Sequence, residues 1–126
     1  MLTREAILSA DDLKTEKVAV PEWGGHVFVK TMTGTEKDNF ESGLVNADGK
    51  VSVRDIRARM VAAVTVDEVG NALFTDSDIN AISGKSAAAL DRIFAASKKL
   101  NAVTDEDVEE LGKHSGQAQA GDSISD

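Results

Sequence analysis

Lys17-Val18-Ala19-Val20-Pro21-Glu22-Trp23-Gly24-Gly25-His26-Val27-Phe28-Val29-Lys30 is the stretch that decides the fold class. Val18 and Val20 lie two residues apart, as do Val27 and Val29, so each pair occupies one face of an extended segment. Between the pairs stand Pro21, Gly24 and Gly25, residues that favour a bend. The stretch therefore reads as a β-hairpin, Lys17–Val20 and His26–Lys30 about a turn at Pro21–Gly25. Most of what flanks it has helical periodicity. The expected class is α+β: a small single domain, mostly helical, with an N-terminal β-hairpin and a flexible acidic C-terminal tail.

Upstream, Thr3 to Ala10 reads as a short helix capped by Thr3, with Glu5 in its first turn and Ile7 and Leu8 facing inward. Downstream, Thr33-x-x-Glu36 opens a helix to about Ser42 that buries Phe40. Asp48-Gly49 marks a turn within Leu44–Val51, with or without short flanking strands. Ser52-x-x-Asp55 is expected to cap a third helix carrying Val53, Ile56, Met60 and Val64 on one stripe. That helix runs into the turn Asp67–Asn71, and a short strand around Thr65-Val66 is one way for it to do so. Gly70 and Asn71 tolerate positive φ there.

Thr75-x-x-Asp78 starts a short helix with Ile79 and Ile82, ended by Ser83-Gly84. Ser86 begins the longest helix, to about Leu100, with Leu90, Ile93, Phe94, Ser97 and Leu100 along one side. Thr104-x-x-Asp107 caps a last acidic helix with Val108 and Leu111 inward. From His114 to Asp126 only Ile124 is bulky and apolar, too little to offset the entropy of ordering, so this stretch is expected to be flexible. The expected division is a domain over residues 1–112 and a tail over 113–126.

Composition narrows the function. The chain has 126 residues, 41% hydrophobic and 29% charged, the size of one ordinary globular domain. There is no cysteine, which excludes disulfides, thiol catalysis and cysteine-bound zinc. No apolar run approaches the roughly 20 residues of a membrane span, and the N-terminus lacks the apolar segment of a signal peptide. The formal charge of −8 is uneven: residues 1–103 carry 13 basic and 15 acidic side chains, residues 104–126 one lysine and seven acids. Nucleic-acid binding needs clustered cations. Arg54, Arg57 and Arg59 are the one local basic cluster, and a solvated helix face accounts for them more readily than an anion site does.

No catalytic pattern emerges. Val66–Asp78 suggests a calcium loop, but starting at Asp67 the third position is Val69 and the sixth is Ala72, where a carboxylate and a glycine are required. His26 and His114 have no spacing that makes them converge on a metal. The acid pairs sit at turns and helix starts, where the helix dipole favours them. Neither a phosphate-binding glycine loop nor a nucleophile elbow occurs. No enzyme activity, metal or other cofactor is expected. Trp23, the lone tryptophan, fits either a lid over an aliphatic core or an exposed contact of the kind that dominates interfaces.

The residues do resemble a known family. Leu2-Thr3-Arg4-Glu5-Ala6-Ile7-Leu8, Thr15–Gly25, Met32-Thr33-Gly34-Thr35-Glu36 with Phe40, and Val66–Phe74 followed by Asp76, Asp78, Lys85-Ser86 and Leu100 are similar to the tail assembly chaperones of long-tailed phages. The resemblance covers about residues 2–112. It implies a scaffold that keeps the tape measure protein soluble in the host bacterial cytoplasm while tail tube subunits polymerise around it, and that is absent from the mature virion. It also implies weak self-association; the charge distribution and the lack of a long apolar run already argue against nucleic acid and membrane as partners. Trp23, Arg54 and Arg57 are the candidate partner-binding residues. Relatives of this type are commonly made in two lengths by a −1 ribosomal slip, the longer recruiting the tail tube protein; Leu111-Gly112-Lys113 is the candidate slip site. The competing readings are a minor tail or head–tail connector protein, and a small enzyme of unknown type.

Overall fold

Thr15–Val20 (β1) and Gly25–Lys30 (β2) pair antiparallel in the computed structural model, which describes residues 1–102. Val18 stands opposite Val27 and Glu16 opposite Val29, so the four valines share the face that turns inward. The bend is a single 3-10 turn, Pro21–Trp23, closed by Gly24 at φ 76°, a left-handed conformation that glycine adopts at little steric cost. A third strand, Thr65–Val66 (β3), pairs antiparallel with Phe28 and Val29, giving the order β1-β2-β3. The hairpin thus grows into a small sheet, and the α+β class holds.

Among the described residues five α-helices accompany it: Arg4–Leu8 (α1), Gly34–Ser42 (α2), Ile56–Val64 (α3), Ile79–Ser83 (α4) and Ala87–Leu100 (α5). The capping residues read from the sequence mostly act as such. Thr3 Oγ1 accepts from Ala6 N, and Ser86 Oγ from Ala89 N. Thr33 and Glu36 form a reciprocal box, Glu36 N–H to Thr33 Oγ1 at 3.1 Å and Thr33 N–H to Glu36 Oε1 at 2.9 Å. Before α4, the Thr75 N–H donates to Asp78 Oδ2 and the first turn is 3-10.

The core lies where α5 crosses the inner face of the sheet and α3 packs against α5. Val20, Val29, Val61, Val64 and Ile93 are fully enclosed, with Met60, Leu90 and Phe94 around them. Each such aliphatic chain contributes roughly 1.5–3 kcal/mol of burial. Ser97 is the buried hydroxyl on α5, donating to Met60 Sδ. Asn101, capping α5, accepts from Met32 N–H at 2.6 Å and donates to Lys30 O, which ties the end of the long helix to the end of β2.

Two expectations fail. The third helix starts at Ile56, not after Ser52, because Asp55 adopts φ 59° and cannot continue a right-handed turn. Ser52 Oγ accepts from Arg54 N instead, and Val53 packs on the core from irregular backbone. Ile7 and Leu8 do not face inward: both are more than half exposed and no residue of α1 is buried. The chain leaves α1 early because the Ser9 hydroxyl bonds back to Glu5 O, and Ala10 N–H takes Ile7 O. The flanks of Asp48-Gly49 form one bridge, Val45 to Val51. The expected acidic helix from Thr104, the tail from His114 and the boundary at 112 lie outside the described residues.

Candidate functional site

Trp23 ends the hairpin bend with its side chain neither buried nor free, 37% exposed. It forms one wall of an open groove of about 290 Å³. Phe74, Ala81 and Ile82 line the rest, and Asp78 and Lys85 stand at the rim. The groove exists because two distant segments meet: the bend, and the stretch from the Asp67 turn through α4. Glu22 holds the bend in place by accepting a two-pronged contact from Arg92 on α5, Nε to Oε1 at 2.8 Å and Nη2 to Oε2 at 3.0 Å. That hydrogen-bonded guanidinium, and after it Glu22's own backbone N–H, holds the carboxyl below its ordinary range.

The other wall depends on the turn after β3. Asp67 Oδ1 accepts from Val69 N and Asn71 N, and Gly70 alone takes positive φ, 95°. The backbone N–H groups, Asn71 first, lower the Asp67 pKa. The carboxylate that suggested a calcium ligand is therefore occupied in closing its own turn. Among the described residues no three His, Cys, Asp or Glu side chains converge. His26 sits exposed on β2 with its ring edge-on to Phe28, and His114 lies outside the described residues.

The three candidate partner-binding residues line neighbouring hollows. Arg57 borders one of about 220 Å³ between the starts of α3 and α5, and Lys85 lines both it and the Trp23 groove. Arg54 and Arg59 border a small third of about 80 Å³ at the end of α2, and Asp55 lines both this and the Arg57 hollow. One band of surface therefore runs from an apolar end at Trp23 to a basic end at Arg54. Arg57 is not unpaired on it: its Nε donates to Asp91 Oδ1. Phe74, Ala81 and Ile82 were missed as site residues. Leu73-Phe74, an apolar pair outside any helix, was the available signal.

No family model matches the chain, and no curated protein matches it by sequence. Among solved structures, its fold is similar to that of the bacteriophage HK97 tail assembly chaperone, with a TM-score of 0.52 at 14% identity. The match takes in 77% of this chain and 96% of that one. Among the described residues no helix is long and apolar enough to cross a membrane. The resemblance read from turns, caps and apolar positions and the likeness in three dimensions point to one architecture: the chain has the fold of a phage tail assembly chaperone.

Proposed function

We propose that the chain is a phage tail assembly chaperone that holds the tape measure protein soluble during tail morphogenesis in the host cytoplasm and is left out of the mature virion. The observation that carries this reading is the fold likeness, which spans nearly the whole of the HK97 chaperone. The surface supports it. A client-holder needs no reacting groups; it needs apolar and charged surface for extended or helical segments. The band from Trp23 through Arg57 to Arg54 offers that, and these three residues are its partner contacts. Engaging Arg57 requires it to leave Asp91, an exposed pair whose loss costs little. A longer product, slipped near Leu111-Gly112-Lys113, would carry the domain that recruits the tail tube protein.

Co-expression tests the reading. A tape measure segment that precipitates alone should stay soluble with this protein and elute with it. Equal precipitation with and without the protein overturns the proposal. Mass spectrometry of purified particles should not find the chain.

A further inference from the structure

Among the described residues the chain carries an apolar groove and, elsewhere, an apolar arm with no buried side chain. Residues 1–13 precede the sheet. Leu2, Ile7, Leu8 and Leu13 are each more than half exposed, and no residue of α1 is buried. A helix of five residues is far below the length that is stable alone in water, so its apolar side chains have every reason to find a surface. The Trp23 groove is such a surface, with Phe74 and Ile82 in its floor and Ala81 exposed at its edge. The arm's charged residues are Arg4, which pairs with Glu5 at 3.8 Å, and Asp11 and Asp12, so it is acidic on balance, and the groove offers Lys85 beside Asp78. Lys85 makes no ion pair among the described residues.

The arm is badly placed for its own groove. Lys14 is fixed beside Thr31 by two hydrogen bonds, Lys14 N–H to Thr31 Oγ1 and Thr31 N–H to Lys14 O. Thr15 pairs with Lys30 at the open end of the hairpin, whereas Trp23 is at the bend. The length of β1 separates them, about 20 Å at about 3.3 Å per residue. From Lys14 back to Leu8 the chain spans at most about 20 Å when pulled straight. Docking in the same molecule would use all of that reach and leave none for wrapping round the bend. A neighbour's groove imposes no such limit.

We propose that, until a client displaces it, the Trp23 groove is filled by the N-terminal arm, residues 1–13, of a second copy of this chain. Arm and groove are different surfaces, so exchange closes as a two-fold pair when reciprocal and grows as an open chain when not. The interface needs no client and is tested on the pure protein.

Sedimentation of the full chain should show mass rising with concentration. Two variants touch only exposed residues: the double substitution Ile7→Asp with Leu8→Asp, and Ala81→Arg, which fills the groove from its rim. Each should move association to concentrations at least about tenfold higher, as loss of a central apolar contact does, with an unchanged melting midpoint. The chain has no cysteine, so Leu8→Cys in one sample mixed with Ala81→Cys in another should give a disulfide-linked species of twice the mass. Unchanged association in both variants overturns the proposal. So does a cross-link that forms only within one chain of the double cysteine variant at high dilution. A wild type that stays monomeric, while Ala81→Arg abolishes solubilisation of the tape measure segment, gives the groove to the client and overturns the arm. Loss of self-association with solubilisation intact upholds the arm, and failure of solubilisation with self-association intact defeats the chaperone reading alone.

Discussion

Arg92 on α5 and Glu22 in the hairpin bend, 70 residues apart in sequence, meet in a two-pronged pair at 2.8 and 3.0 Å. The pair fastens the bend that carries Trp23 to the longest helix, so the groove wall and the core share one anchor. Glu22's pKa is lowered in the folded chain. Its stabilising contribution is therefore present above the ordinary glutamate value, about pH 4, and is lost as pH falls through the lower folded value. Arg92→Ala should reduce the melting midpoint at pH 7, and the loss should shrink as pH falls through the folded Glu22 value. A loss that stays the same over the whole acid range would show that Arg92 acts by packing its stem instead.

Phe94→Ala should destabilise the fold by about 3–5 kcal/mol, the range of large truncations in a core. Phe94 is buried beside Ile93, in a chain with only four phenylalanines, and Lys98 Nζ lies 5.3 Å from the ring centroid. That position at the border of the core favours the lower end of the range. Urea unfolding measures it, and an unchanged midpoint would mean that the Phe94 ring contributes nothing to the packing of α5 on the sheet.

Calcium should not raise the melting midpoint. Asp67, the first residue of the only calcium-like stretch, spends Oδ1 on the N–H groups of Val69 and Asn71. A ligand that binds the native state would stabilise it by mass action, so a midpoint several degrees higher with millimolar calcium would refute this. Asp67→Ala should lower the midpoint at neutral pH, since the folded Asp67 pKa is lowered. That cost should fade as pH falls through the folded value, where the wild-type carboxyl also protonates.

What was legible in the sequence was what local chemistry fixes. The valine pairs gave the hairpin, and Thr3, Thr33, Thr75 and Ser86 gave four helix starts, because a hydroxyl two or three residues from a free N–H acts without reference to the rest of the chain. Ser52 misled because the same hydroxyl can close a turn onto Arg54, and Asp55 takes φ 59°. Ile7 and Leu8 misled because periodicity says which side of a helix is apolar and not whether anything covers it. The groove was illegible for a different reason: Trp23 and Ile82 meet only through tertiary packing. The link from Asn101 to Met32 and Lys30 is likewise non-local.

Thr65→Val should stabilise the protein. Thr65 is 1% exposed, and its Oγ1 finds no hydrogen-bond partner among the described residues. Its backbone is fully used: Thr65 stands opposite Val29 in the β2–β3 pair, and Leu73 N–H donates to its carbonyl at 3.2 Å. A buried hydroxyl without a partner costs about 1–3 kcal/mol. Valine keeps the branched shape and strand preference while removing that hydroxyl. Val29, which stands opposite Thr65 on β2, is apolar and buried, so a methyl group in place of the oxygen suits that face. The expected gain is about 1–2 kcal/mol in urea unfolding, with the slope unchanged because the surface exposed on unfolding is the same. A loss of stability would mean that the hydroxyl is hydrogen-bonded after all, through a buried water or a group beyond residue 102, and Thr65→Ser would then retain most of the wild-type midpoint apart from its missing methyl.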